Sequence, residues 1–279
     1  MLITYMLRGD KRRPAGKPAR ISKARKVETE SETEVEVETE AAFLARYDLT
    51  AFERPSVAVD IVVLGFARGA LSVAVYQRGE HPAKGSYALP GGFVRVSESL
   101  DAAAARLLHG KAGLADVFIE QLYTFGAPGR DPRGRVIAVG YYALVDAARL
   151  VRATTAPGAR VATVRVPWPG ETGGPVAVLD DAGKELPLAF DHADVLGMAV
   201  KRLRGKLDYT PVGFQLLPAE FTLRALQDVH EAVRGEAVNK DSFRRRMLAS
   251  GFLEATGAHE RDASHRPAEL YRFVRRSAV

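Results

Sequence analysis

Three stretches of this 279-residue chain place chemically active residues at regular spacing. In the first, Gly92-Phe-Val-Arg-Val-Ser-Glu98 is followed after seven residues by Arg106-Leu-Leu-His-Gly-Lys-Ala-Gly-Leu114. A glycine turn entering a helix, with a carboxylate and a guanidinium at fixed distance, suits phosphate handling. Positions 107, 110 and 111 are spaced i, i+3 and i+4, so they share one helix face, where carboxylates can hold divalent metals. They are Leu107, Gly110 and Lys111, so that face carries no acid. Lys111 puts a positive charge on that face, which repels a cation and suits a ligand's phosphate. Gly110 costs the helix about 1 kcal/mol relative to Ala. The second stretch is the loop Arg130-Asp-Pro-Arg-Gly-Arg135, which follows Tyr123-Thr-Phe-Gly126. Its arginines can grip phosphates or carboxylates in bidentate fashion. The third is Asn239-Lys-Asp-Ser-Phe-Arg-Arg-Arg-Met-Leu248. At ~100° per residue, Phe243 and Met247 share an inward face, Arg245 points nearly opposite, and Arg244 and Arg246 flank it. Such a helix suits the DNA major groove and its phosphates.

These stretches need elements to hold them. Ser56–Phe66 reads as a strand buried on both faces and Leu71–Arg78 as its hairpin partner. A short strand spans Ala88–Val94, and a helix over Glu98–Ala112 follows Ser97 as N-cap. Phe118–Phe125 and Val136–Val145 read as strands around the arginine loop. Val161–Val166 and Pro175–Leu188 supply further strands, and Asp191 caps a helix to about Leu207. Leu217–Arg234 and Lys240–Ser250 then read as two helices, followed by strands Phe252–Ala255 and Glu269–Val274. Two helices with a tight turn and a two-stranded ribbon outline a winged helix, with His265 and Arg266 at the wing tip. Lys201, Arg202, Arg204 and Lys206 on the preceding helix are candidates for added DNA contacts. Phe221, Leu226, Val229 and Tyr271 are expected in the core. His192, His230 and His259 receive no role. Trp168, between two prolines, fits either an edge or a dimer contact.

The first stretch, with Ala88-Leu-Pro-Gly-Gly-Phe93 just before it, resembles the Nudix box, G-x5-E-x7-R-E-U-x-E-E-x-G-U with U aliphatic. Gly92, Glu98, Arg106, Leu108, Gly113 and Leu114 match, while Leu107, Gly110 and Lys111 stand where the family has metal-binding glutamates. The resemblance implies an α/β fold, a Nudix-like α/β/α sandwich with a mixed sheet, and the departures imply lost metal-dependent hydrolysis. Glu120-Gln-Leu-Tyr-Thr-Phe-Gly, the arginine loop, Phe214–Leu226, Asn239–Leu248 and His265–Phe273 are similar to one subgroup, the Nudix-related transcriptional regulators (NrtR family). The similarity covers roughly residues 50–279. It implies a dimeric repressor of NAD synthesis or salvage genes that binds double-stranded operator DNA and a NAD-derived nucleotide, ADP-ribose being the usual candidate. The effector site is then expected at Arg78, Gly92, Glu98, Lys111, Tyr123, Asp131 and Arg133. The DNA site is expected at Lys240, Ser242, Arg244, Arg245, Arg246, His265 and Arg266, with no catalytic residue, metal or cofactor. Two rivals remain at this level: an ADP-ribose hydrolase with an appended basic domain, and a repressor whose Nudix-like part is only a dimer scaffold.

Composition agrees with a folded chain. Hydrophobic residues are 47% and charged residues 27%, which excludes wholesale disorder. The absence of cysteine excludes disulfides, thiolate zinc sites and a cysteine nucleophile. No apolar run reaches the ~18 residues of a transmembrane helix, and the first residues do not form a secretory signal, so the expected compartment is the cytoplasm. The net charge of +6 permits nucleic-acid binding without requiring it. Residues 1–26 carry nine Lys/Arg, and Glu then recurs at every second position from Glu28 to Glu40. Residues 1–42 are therefore expected as a disordered charged tail, 43–190 as the ligand-sensing domain, 191–209 as a connecting helix and 210–279 as the DNA-binding domain.

Overall fold

The computed structural model describes residues 39–260 and 267–274. The expected tail up to residue 38 lies outside them. Order starts slightly earlier than expected, because Thr39 caps a short helix α1 (Glu40–Arg46) by accepting the Ala42 N–H. The segment up to Phe52 is a unit of its own, in which Phe43, Tyr47 and Phe52 pack ring on ring. The second unit starts at Glu53 and holds everything described below.

Its large mixed sheet is built on β1 (Ser56–Ala67), which pairs antiparallel with β2 (Ala70–Gln77). Short β3 (Tyr87–Ala88) and β4 (Gly91–Phe93) add to β2 and β1 respectively. Then α2 (Leu100–Ala112) leads to the hairpin of β5 (Phe118–Phe125) and β6 (Val136–Val145), and β6 lies parallel to β1. A helix α3 (Ala147–Arg152), not anticipated from sequence, follows under an Asp146 cap. The sheet ends with β7 (Ala159–Arg165), β8 (Ala177–Leu179) and β9 (Glu185–Leu186), so the expected Pro175–Leu188 strands are much shorter. The main order is β5-β6-β1-β2-β7-β8-β9.

Strand alternation sorts β1 between two cores. Val59, Ile61 and Val63 pack with Leu107 and Leu108 of α2 and Leu150 of α3. Val62 and Leu64 pack on the other face with Val195, Leu196 and Leu203 of α4 (His192–Lys206). Helices on both faces of a mixed sheet form the expected α/β/α sandwich.

The C-terminal module has α5 (Leu223–Arg234), α6 (Lys240–Ala249) and a three-stranded sheet in the order β10-β12-β11. These strands are β10 (Glu220–Thr222), β11 (Leu253–His259) and β12 (Glu269–Phe273). The expected helix from Leu217 is corrected: residues 220–222 pair with β12, and Thr222 caps α5 by accepting the Ala225 N–H at 3.1 Å. Three residues are too few to show a strand period in sequence. Phe221, Leu226, Val229 and Tyr271 are buried as expected.

Candidate functional site

The box segment folds differently in detail from its sequence reading. Ser99, not Ser97, caps α2, accepting the Ala102 N–H at 3.1 Å. The two additional loop residues let Glu98 turn back, where it accepts the Arg95 N–H at 2.8 Å and both Nε and Nη2 of Arg106. Arg106 also donates to the Phe93 carbonyl at 3.1 Å. The Arg106 hydrogen bonds and the Arg95 N–H lower the Glu98 pKa to about 2. Glu98 thus holds the loop closed. Leu107 is buried, while Gly110 and Lys111 are exposed.

The expected effector residues separate into groups. Arg78, Gly92, Asp131 and Arg133 line one cavity of about 170 Å³. Lys111 borders an adjoining hollow of about 530 Å³ that shares Arg78, Ala88, Leu89 and Gly91 with the first. Glu98 lines neither. Tyr123 is exposed on β5 and packs edge-on against Phe125. Both were assigned to the effector by motif, and the structure separates them from the cavity.

Sequence reasoning missed the cavity's charged core. Arg130 is 5% exposed at its side chain and bridges two carboxylates. It donates to Asp191 at 2.8 and 2.6 Å and to Asp60 at 3.0 Å. Burial works against the Arg130 charge, but Asp191 and Asp60 outweigh it and its pKa rises. His192 Nδ1 accepts the Leu89 N–H at 3.0 Å, and burial lowers its pKa. Asp131 is buried and holds Arg133, whose guanidinium lies 5.2 Å from the Phe93 ring and 5.7 Å from that of Phe190. The Arg78 guanidinium lies over the same Phe190 ring at 4.9 Å. Phe190 has φ 55°, a strained conformation for a bulky residue, and this strain sits at the cavity wall. The whole is an aromatic-walled cleft lined by Arg78, Arg130 and Arg133, the last two paired with Asp60, Asp191 and Asp131, and its guanidinium groups suit a planar ligand that bears anionic groups.

The second candidate surface is α6. Asn239 caps it, accepting the Ser242 N–H at 3.0 Å. Phe243 is buried and Met247 half-buried, while Lys240, Ser242, Arg244 and Arg245 are exposed. Lys240 and Arg244 border a hollow of about 570 Å³ with Arg224, His259 and Tyr271. Arg246 is also exposed, on the expected flank, and lies 5.7 Å over the Phe243 ring and 3.7 Å from Asp208. His265 and Arg266 lie outside the described residues. The cations of α4 are also occupied: Lys206 binds Glu120 at 2.6 Å, Arg202 donates to the Leu122 carbonyl at 2.9 Å, and Arg204 is buried. Lys206 and Arg202 tie α4 to β5, and Arg204 is turned inward instead of facing outward.

Fold and site together define a two-module protein, an α/β/α sandwich with an arginine-lined cleft joined to a winged helix of the DNA-binding type. A model described as the NUDIX domain matches residues 54–168, and one described as the NrtR DNA-binding winged helix domain matches 213–273. The chain is 36% identical over 237 residues to the "ADPR responsive transcriptional repressor NtrR" of Acinetobacter baylyi, spanning 84% of this chain and 88% of that one. It superposes on the crystal structure of Shewanella oneidensis NrtR complexed with a 27mer DNA with TM-score 0.65 and 33% identity, covering 78% and 93% of the two chains. A MutT/nudix family protein from Enterococcus faecalis gives TM-score 0.66 at 26% identity, covering 85% and 94%. The chain belongs to the NrtR family of Nudix-related transcriptional regulators.

Proposed function

We propose that this protein is a transcriptional repressor of NAD synthesis or salvage genes that binds a double-stranded operator as a homodimer through α6 and the wing. ADP-ribose or a related NAD-derived nucleotide is its effector, held in the cleft at Arg78, Arg133 and Phe190. The observation that carries this reading is an aromatic-walled, arginine-lined cleft and an arginine-faced winged helix in one chain, related along most of its length to an ADP-ribose-responsive repressor. A nucleotide exceeds the smaller cavity, so it extends into the hollow that Lys111 borders. Among the described residues no helix is long and apolar enough to cross a membrane.

The residues present do not fit a divalent metal. Glu98 spends its oxygens on Arg106 and Arg95, and among the described residues no group of three His, Asp or Glu is placed to hold an ion. On the Leu107, Gly110 and Lys111 that stand at the box's glutamate positions, the protein is read as a binder of its nucleotide, not a hydrolase.

The test is binding of the full chain to labelled DNA from upstream of its own and neighbouring genes, at fixed salt, during ADP-ribose titration. Tight binding weakened by ADP-ribose is expected. Binding that ignores the nucleotide would leave the sandwich as a scaffold, and turnover of ADP-ribose with Mg²⁺ would restore the hydrolase reading. Arg245→Ala is expected to weaken operator and non-operator DNA about equally and to reduce the salt slope by about 1. An unchanged slope would remove Arg245 from the phosphate contacts. Lys111→Glu is expected to weaken ADP-ribose binding in calorimetry without Mg²⁺. Unchanged affinity with and without Mg²⁺ would show that Lys111 is only solvated.

A further inference from the structure

The cleft and the recognition helix are joined by one rigid element whose two ends are both tied by buried guanidinium groups. Phe190 and His192, which wall the cleft, sit at the start of α4, and Arg130 grips Asp191 between them. Asp191 makes no side-chain cap to the helix, so its carboxylate is committed to Arg130. Along α4, Val195, Leu196, Ala199, Val200 and Leu203 are buried. The helix also lies so close to the preceding loop that a Cβ at Gly197 would stand 1.9 Å from the Gly174 carbonyl oxygen. Such an element moves as a body, because a packed interior transmits displacement.

The far end of α4 carries Arg204, about 18 Å along the axis from His192 at 1.5 Å per residue. Its guanidinium is buried with three carbonyl partners: Val233 at 2.7 Å, Gly170 at 2.7 Å and Trp168 at 3.1 Å. It also stacks on the Trp168 ring at 4.8 Å. Val233 lies in the last turn of α5, where a cation meets the negative end of the helix dipole. The α5 C-cap, Gly235, has φ 75°, and a Cβ there would lie 3.1 Å from Arg204 Nη2. Just past α4, Asp208 pairs with Arg234 of α5 and lies 3.7 Å from Arg246 of α6. A continuous set of contacts thus runs from the cleft wall to the recognition helix.

We propose that α4 is the lever through which the bound nucleotide changes DNA affinity, with Arg204 as its joint to the winged helix. The proposal rests on the effector reading above. An anionic ligand in the cleft competes with Asp191 for Arg130 and presses on Phe190, which shifts the helix start. The shift alters the Arg204 joint and the Asp208–Arg246 contact, so the recognition helices of a dimer lose their spacing. Differential affinity of the ligand for the two arrangements is what drives the change.

The chain has a single tryptophan, and it is the ring stacked on Arg204 and outside the cleft, so its fluorescence reads this joint directly. Full-length protein is titrated with ADP-ribose, following Trp168 emission and, in parallel, calorimetric heat and operator binding. The emission is expected to change and to saturate with the heat. Arg204→Lys keeps the charge but cannot bridge three carbonyls around a stacked plane. It is expected to leave both separate affinities within about twofold, while an effector-induced weakening of about tenfold in operator binding falls below about twofold. Asp208→Asn, at an exposed residue outside the core, is expected to lower the coupling in the same direction, and decides the matter with the emission data if Arg204→Lys does not fold. Constant emission while binding heat is present, or wild-type coupling in both variants, overturns the proposal. Absence of binding heat in the wild type overturns the effector reading, and the lever falls with it.

Discussion

Arg130→Ala is expected to destabilise the protein by about 3–5 kcal/mol, because it leaves two carboxylates facing each other without their cation. The Arg130 side chain is 5% exposed, Asp60 10% and Asp191 21%, so solvent can replace little of what is lost. Asp60 sits in the middle of β1; the charge of Arg133 also reaches it, but that guanidinium is hydrogen-bonded to Asp131. The other neighbour of Asp60 is His192, 3.7 Å away, whose burial lowers its pKa and disfavours a compensating charge. Urea midpoints of wild type and variant at pH 7 measure the loss. The paired change Asp60→Asn with Arg130→Met is expected to recover part of it, since replacing both sides of a buried pair costs less than orphaning one. A loss below about 1 kcal/mol in the single variant would mean that water reaches both carboxylates and that the bridge is not a buried one.

That bridge also marks where the sequence stops being informative. The box residues could be found because their spacing is local: Gly92, Glu98 and Arg106 lie within one turn and one helix. The cleft's charged core is assembled from β1, the 126–135 loop and the start of α4, so no spacing rule connects Asp60, Arg130 and Asp191. One signal was present. Asp60 is a lone acid inside Val-Ala-Val-Asp-Ile-Val-Val, and a carboxylate in a strand buried on both faces requires a cation. The choice of Arg133 without Arg130 had no basis in residue type, since either guanidinium suits a phosphate. Asp191 has the residue type of a helix cap, yet its carboxylate is drawn to the stronger charged partner.

The winged helix was readable for a similar reason. Phe243 and Met247 at i and i+4 define the inner face of α6 whatever else surrounds it, and both pack inward. Helical position puts Arg246 on a flank but could not show its neighbour Asp208, which comes from outside the helix. The connecting helix misled most. Its four cations look like a basic stripe, but Glu120 and backbone carbonyls across the domain boundary claim three of them. Charge read along one helix says nothing about the acids and carbonyls that tertiary packing brings to it.

Acidification is expected to weaken the fold below about pH 6.5, with His230 contributing down to about pH 4. Its ring is buried in α5 and lies edge-on to Phe243 at 4.9 Å, and its Nδ1 has no hydrogen-bond partner among the described residues. Burial, and then the charges of Arg246 and Arg234 against a smaller opposing effect of Asp208, lower its pKa from 6.5 to about 4. Above pH 6.5 the ring is neutral in both folded and unfolded chains, so it exerts no pH dependence there. Below 6.5 the unfolded chain binds the proton and the folded one does not, so stability falls by about 1.4 kcal/mol per pH unit. The loss levels off near the folded pKa, at about 3 kcal/mol in total. His192 shifts in the same direction through burial and adds to the slope. Unfolding free energies at pH 7.5, 6, 5 and 4.5 are expected to drop steeply for the wild type. His230→Leu keeps an apolar contact beneath Phe243 and is expected to remove the share that His230 contributes, leaving that of His192. Because Phe243 anchors the recognition helix on this ring, operator binding by the wild type is expected to fail at a higher pH than in the variant. Parallel stability profiles for the two proteins would show that His230 takes up its proton without disturbing the module.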